Sequence, residues 1–89
     1  MSTKASIKSA IESAVGTNYS SWRIGITDDG DTRKKQWKDA GENVDYWRCW
    51  QADSSQDARD LESYFINEKR MKGGTGGNLS SQTKYVYIF

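Results

Sequence analysis

The chain has 89 residues, enough for one small hydrophobic core, which predicts a single domain over residues 1–89. Thirteen Lys and Arg against 12 Asp and Glu give a net charge of +1, so any contact with a nucleic acid must come from local basic patches. The lack of His excludes histidine-based catalysis and histidine zinc sites, and the single cysteine, Cys49, excludes an internal disulfide.

The distribution of apolar residues bears on location. No segment approaches the roughly 18 consecutive apolar residues that span a bilayer. The first residues mix charged and apolar side chains and lack the apolar stretch of a signal peptide. We therefore expect a cytoplasmic protein that does not associate with a membrane.

The N-terminal third predicts a helix followed by a strand. Apolar residues recur at three- and four-residue spacing from Ile7 to Val15, which is typical of an amphipathic helix, and Gly16 ends it. Residues Ser21–Thr27 alternate strictly between two faces, as in a strand. One face carries Trp22, Ile24 and Ile26, and the other carries Arg23, Gly25 and Thr27.

Two helices and two strands are predicted for the remaining chain. The helices run from Asp31 to about Ala40 and from Ser55 to about Lys72, each preceded by residues that cap a helix. The strands are Val44–Gln51, which is rich in aromatic residues, and Lys84–Phe89. A Gly-rich loop separates the last helix from the last strand. The economical architecture is an α+β fold with helices packed on a three-stranded sheet, whose connections allow parallel or antiparallel pairing.

One charged residue stands within an apolar helix face. Glu62 shares that face with Ala58, Phe65 and Ile66. A buried carboxylate costs several kcal/mol unless it is paired or metal-bound. A basic partner, an edge position that reaches water, or a metal ion would each explain it.

Two basic clusters are candidate phosphate contacts. The first comprises Arg33, Lys34, Lys35 and Lys38, and the second comprises Lys69, Arg70 and Lys72. Basic residues near a helix C-terminus offset the helix dipole, which explains the second cluster without any ligand. Arg33 lies in the first turn of its helix, where the dipole disfavours a cation, so phosphate contact explains the first cluster better.

The strands also place several distinctive residues on one face of the sheet. Arg23, Tyr85 and Tyr87 can share a face, which by itself we expect to be solvated, with aromatic cross-strand pairs. Cys49 has no histidine to activate it, and we expect a buried structural thiol.

The segment from Trp22 to Asn78 resembles the GIY-YIG nuclease family. The sequence Arg23-Ile24-Gly25-Ile26-Thr27 looks like its second signature strand, and Arg33 follows ten residues after Arg23. Glu62 stands in the next long helix, and Asn78 follows sixteen residues later. Arg23 replaces the tyrosine of that signature, and a helix precedes the strand where the first signature would stand.

The C-terminal strand looks like the missing first signature, with Tyr87 at the position of its tyrosine. This resemblance implies a circularly permuted fold in which the last strand pairs beside Ser21–Thr27 in a mostly antiparallel sheet. It also implies hydrolysis of DNA phosphodiesters with a single Mg²⁺ or Mn²⁺ held by Glu62. Arg33 would neutralise phosphate charge, and Tyr87 would orient or deprotonate the attacking water if Arg23 lowers its pKa.

DNA is the partner that the resemblance implies, through Asn78 and both basic clusters, and a second protein or domain would help to choose the target. Two alternatives stay open. In the first, the chain is a catalytically inactive module that binds nucleic acid or a protein. In the second, it is a structural domain in which Arg33 and Glu62 form a buried ion pair.

Overall fold

Three helices and a three-stranded sheet make up the computed structural model, which describes residues 3–73 and 84–89. The helices are α1 (Lys4–Val15), α2 (Gly30–Asp39) and α3 (Ser55–Asn67), and a short 3₁₀ turn covers Tyr19–Ser21. The strands are β1 (Ile24–Thr27), β2 (Arg48–Gln51) and β3 (Tyr85–Ile88). The predicted α+β class and the alternating order of helices and strands are confirmed.

Each helix begins at a side chain that accepts a hydrogen bond from a free backbone N–H of the first turn. Thr3, Asp29 and Ser54 do this for α1, α2 and α3. Gly16 ends α1 with a φ of 75°, a conformation that other residues rarely adopt.

The last helix is shorter than the sequence pattern predicts. It ends at Asn67 instead of Lys72 because Arg70 has a φ of 64° and the chain turns back. Met71, only 3% exposed, is buried by this turn, and its N–H donates to the carbonyl of Phe65 at 3.0 Å. The second basic cluster therefore lies just beyond the C-terminus of α3 instead of in its last turn.

The second strand is also shorter than predicted and covers only its last four residues. The chain turns before it, where the Asn43 side chain accepts a hydrogen bond from the N–H of Asp45 and the Trp47 N–H donates to the carbonyl of Val44. Tyr46 is consequently 68% exposed instead of lying on a strand face. The alternation of aromatic residues in the sequence is the same for this turn as for a strand, so the sequence pattern could not separate the two.

The C-terminal strand lies in the middle of the sheet. The strand order is β1-β3-β2, and β3 is antiparallel to both neighbours. The expected pairing of the last strand with Ser21–Thr27 is confirmed, and it extends beyond β1 because Arg23 and Phe89 exchange two backbone hydrogen bonds. On the other side of β1, Lys72 pairs with Arg23 in a parallel bridge.

The two faces of the sheet have different coverings. One face, which includes Ile24, Val86 and Ile88, packs against α1 and α3 to form the core. The opposite face carries Gly25, Tyr87 and Cys49, which lie at one level across the three strands. Helix α2 contacts β3 and places Trp37 against Tyr87 on this second face.

Within residues 3–73 and 84–89, no helix is long and apolar enough to cross a membrane.

Candidate functional site

Tyr87 is the centre of the candidate site. It lies on the middle strand directly opposite Gly25 of β1, and its hydroxyl reaches over the Gly25 backbone. A Cβ at position 25 would overlap the hydroxyl oxygen and Cζ of Tyr87 and come within 2.9 Å of Cε2. The glycine is therefore required for the tyrosine to extend across β1.

Two tryptophans fix the Tyr87 ring. Trp47 stacks on it with a centroid distance of 4.6 Å and an interplanar angle of 11°. Trp37 of α2 donates a hydrogen bond from Nε1 to the Tyr87 hydroxyl at 2.9 Å. With this cover Tyr87 is only 3% exposed, so the expectation of a solvated face is wrong. The covering groups come from a helix and a turn, which a strand pattern does not contain.

Arg23 lies beside these aromatic rings. Its guanidinium carbon is 4.9 Å from the centroid of the Trp37 ring, a cation–π distance. Its backbone is held between Phe89 and Lys72, which fixes where the side chain leaves the sheet. Arg23 therefore contributes a positive charge at the end of β1, next to the side chain that binds the Tyr87 hydroxyl.

Arg33 lies in the first turn of α2, as predicted, and its backbone N–H donates a hydrogen bond to the Asp29 carbonyl at 3.1 Å. Burial raises the pKa of Tyr87, whereas the hydrogen bond from Trp37 and the charges of Arg33 and Arg23 lower it and the charge of Glu62 raises it. The charges of the other three predicted catalytic residues, Arg33, Arg23 and Glu62, thus act on the Tyr87 hydroxyl.

The pKa of Tyr87 is raised overall, contrary to the expectation that Arg23 lowers it enough for Tyr87 to act as a base. Arg23 lowers the pKa of Tyr87, but burial is the largest influence, and the resulting pKa lies above the ordinary value of 10.0. Tyr87 therefore keeps its proton near neutral pH and does not act as a general base in this state.

Glu62 is buried in α3 and forms no ion pair with a basic residue of the described ranges 3–73 and 84–89. It is 7% exposed, burial raises its pKa, and only the charge of Arg59, an exposed residue of the same helix, lowers that pKa. In the described part of the chain, the one ion pair joins Lys4 and Asp60 at 3.3 Å. The alternative in which Arg33 and Glu62 form a buried ion pair is therefore wrong.

A divalent metal fits this carboxylate. Mg²⁺ binds through one or two carboxylates, with water and substrate phosphate completing its oxygen ligands. Glu62 could supply one carboxylate to such a shell. No cluster of three His, Cys, Asp or Glu side chains occurs within residues 3–73 and 84–89, so an all-protein metal cage is not formed there.

The basic residues lie outside the buried part of the site. Lys34, Lys35 and Lys38 are exposed on α2, the helix that carries Arg33. In the second cluster, Lys69 lies 5.5 Å above the Tyr19 ring, whereas Arg70 and Lys72 are exposed. Asn78 lies outside the described residues.

Two aromatic residues of the site were not predicted. Trp37 stands four residues after Arg33 on α2, so helical spacing could have indicated that both face the same way. Trp47 belongs to the turn before β2, where no periodicity applies. Phe89, expected only as the end of a strand, joins both of them, with ring centroids 5.2 Å from Trp37 and 5.5 Å from Trp47.

Comparison with known proteins adds no relative. The chain matches no protein-family model, no curated protein and no solved structure.

Proposed function

We propose that this protein is a metal-dependent DNA endonuclease-like domain of the GIY-YIG type, in circularly permuted form, that hydrolyses phosphodiester bonds. One observation carries the proposal: the Tyr87 hydroxyl lies over Gly25 within the electrostatic reach of Arg33, Arg23 and the unpaired Glu62. Gly25, Arg33, Glu62 and Tyr87 come from β1, α2, α3 and β3, and Arg23 directly precedes β1, so only the folded chain assembles them.

The two arginines would bind the phosphate. Charge develops on the phosphoryl oxygens during hydrolysis, and preorganised cations stabilise it most effectively where little water is present. Arg33 extends from the first turn of α2, and Arg23 is held above the Trp37 ring. Neither is paired with a carboxylate among residues 3–73 and 84–89, which leaves both able to bind a phosphate.

Tyr87 would orient the attacking water. Its oxygen already accepts a hydrogen bond from Trp37 Nε1, so the phenolic proton and one lone pair remain to bind a water or a phosphate oxygen. Its raised pKa keeps that proton in place. The stack with Trp47 fixes the direction of the hydroxyl.

Glu62 would hold the metal ion. A bound Mg²⁺ or Mn²⁺ supplies Lewis-acid stabilisation of the phosphate and the leaving oxygen. Burial raises the free energy of the ionised Glu62 carboxylate, so a cation that binds it relieves that penalty.

The exposed lysines of α2 would contact the DNA backbone on either side of the reacting phosphate. Lys34 and Lys35 follow Arg33 directly, and Lys38 lies one turn further along the helix. Their contacts depend on salt and carry no sequence information. Target choice and a cytoplasmic location remain predictions.

A catalytically inactive nucleic-acid-binding module is the second candidate. The observation that favours it is the near-complete burial of Tyr87, 3% exposed, together with Arg23 at the position of the motif tyrosine. Such a module retains DNA through Lys34 and Lys35 but has no hydroxyl free to reach a water.

Nicking of supercoiled plasmid distinguishes the two. A nuclease nicks plasmid in Mg²⁺ or Mn²⁺, and both Arg33→Ala and Glu62→Ala abolish nicking while thermal unfolding confirms that they fold. The inactive module shows salt-sensitive DNA retention that Lys34→Ala with Lys35→Ala weakens, and it cleaves nothing in either metal.

A further inference from the structure

A separate pocket opens at the end of β1, next to the candidate site. It has a volume of about 340 Å³ and is lined by Trp22, Arg23, Glu42, Asn43, Tyr46 and Lys72, with Ser21 and Phe89 at its edges. This volume lies at the lower end of the range for small-ligand sites, roughly 300–1,000 Å³. Only Arg23 among these residues belongs to the proposed catalytic group.

An exposed aromatic ring forms one wall of this pocket. Tyr46 is 68% exposed and is the one exposed large hydrophobic side chain among residues 3–73 and 84–89. Its ring meets Trp22 at a centroid distance of 6.4 Å and an angle of 58°. A tilted pair leaves one face of the tyrosine open to stack on a flat ligand.

Charged and polar groups complete the pocket. Arg23 and Lys72 supply two positive charges from two chain segments that form an isolated bridge and are joined by backbone hydrogen bonds between Trp22, Ile24 and Lys72. The Glu42 carboxylate and the Asn43 amide also line the pocket. The oxygen of that amide accepts from the Asp45 N–H at 2.9 Å, which leaves its NH₂ group to donate to a ligand.

We propose that this pocket binds one unpaired nucleotide of a DNA strand. The base would stack on Tyr46, its edge would meet Glu42 and Asn43, and Arg23 and Lys72 would bind the flanking phosphates. The aromatic ring, the two cations and the polar groups of this pocket together fit a planar ligand that has hydrogen-bond donors and acceptors at its edge and an anion on either side. A base within a duplex cannot enter, so the substrate carries a single-stranded or branched segment.

This inference rests on the proposed function for the choice of DNA, but it can fail or succeed independently. Arg23 and Phe89 border both sites, so a nucleotide held in the pocket lies beside the phosphate that Tyr87 and Arg33 would contact. Binding is therefore measured without divalent metal, where no cleavage can occur.

The experiment compares fluorescently labelled oligothymidylate with a strand of abasic deoxyribose phosphates of equal length, by anisotropy in EDTA. The wild type should bind oligothymidylate more tightly. Tyr46→Ala should weaken that binding about 5- to 100-fold without affecting the abasic strand, because aromatic stacking acts on the base and not on the phosphates. Tyr46→Phe keeps the ring and should bind like the wild type.

The salt dependence provides a second readout. Tyr46→Ala should leave the slope of binding against salt unchanged because the number of phosphate contacts stays the same. Equal binding of oligothymidylate by wild type and Tyr46→Ala would overturn the proposal, as would equal weakening of both strands. Tighter binding of oligouridylate than of oligothymidylate would overturn the assignment to DNA. Binding that depends on the Tyr46 ring, without any plasmid nicking, would support the nucleotide pocket and refute the nuclease function.

Discussion

The close approach between Tyr87 and Gly25 makes Gly25→Ala the most informative change in the sheet. The φ angle of Gly25 is not positive, so alanine at this position is not strained by its backbone. The added Cβ would overlap the Tyr87 hydroxyl and Cζ, so either the ring or the strand must move.

The expected cost follows from the contacts that the ring makes. Overpacking a buried site costs about 1–3 kcal/mol. Displacing the ring also loses the hydrogen bond from Trp37, about 1 kcal/mol, and the stack with Trp47, about 1 kcal/mol. We expect a loss of about 3–5 kcal/mol in the free energy of unfolding, which lowers the Tm of a domain of this size by roughly 12–40 °C.

A double-mutant cycle assigns this cost to the tyrosine. Urea and thermal unfolding, followed by circular dichroism, are measured for Gly25→Ala in the wild type and in Tyr87→Leu, where the clashing ring atoms are absent. The cost of Gly25→Ala should fall by at least about 1 kcal/mol in the leucine background. The control is Gly41→Ala. Gly41 has open space around it but a φ of 93°, so alanine there should lower the free energy of unfolding by about 1 kcal/mol in both backgrounds. An equal cost of Gly25→Ala in both backgrounds, or none in the wild type, would refute the described contact.

Three further predictions concern titration and binding. Burial raises the pKa of Glu62 above its ordinary 4.5, so the contribution of Glu62 to the free energy of unfolding is most favourable below pH 4.5 and is lost as the pH rises above that value; Glu62→Gln should remove this loss in unfolding measured across that range. Millimolar Mn²⁺ should raise the Tm of the wild type at neutral pH and leave that of Glu62→Gln unchanged, and equal shifts would place the metal elsewhere. Burial and the charge of Asp31 raise the pKa of Cys49 to about 11, so iodoacetamide should modify the folded protein at pH 8 far more slowly than the urea-unfolded chain; equal rates would contradict that environment.

A fourth prediction concerns the hydrogen bond to Tyr87. Trp37 lowers the pKa of Tyr87, so Trp37→Phe should raise it further and reduce the free energy of unfolding by about 1 kcal/mol. NMR titration of Cζ-labelled tyrosine follows the ionisation. An unchanged or lower pKa of Tyr87 in the variant would show that Nε1 does not stabilise the phenolate.

The sequence pattern predicts the core face of the sheet and the starts of the helices well because these depend on local rules. Alternation placed Ile24 on the buried face of β1, and capping residues such as Ser54 marked where helices begin. The end of α3 could not be predicted, since it depends on burial of Met71 after a residue with positive φ, a gain that comes only from tertiary packing.

In the candidate site, too, features that depend on local sequence were predicted and features that depend on tertiary packing were not. A resemblance in sequence had selected Arg33, Glu62 and Tyr87; the charges of the first two act on the Tyr87 hydroxyl, and the central position of β3 agrees with the expected pairing. The cover over Tyr87 was missed because Trp47 lies in a turn that resembles a strand in sequence. That cover decides the direction of the pKa of Tyr87, so its role as a neutral hydroxyl could be derived only from the structure.

Plasmid nicking in Mn²⁺ by wild type, Glu62→Gln and Glu68→Gln at neutral pH tests the central claim most directly. Both variants remove one carboxylate from the region of α3, but Glu68 is exposed at the helix end, whereas Glu62 is buried within the helix. We expect nicking by the wild type and by Glu68→Gln and none by Glu62→Gln. Equal nicking by all three proteins, or none by the folded wild type, would contradict the assignment of a phosphodiester-hydrolysing site.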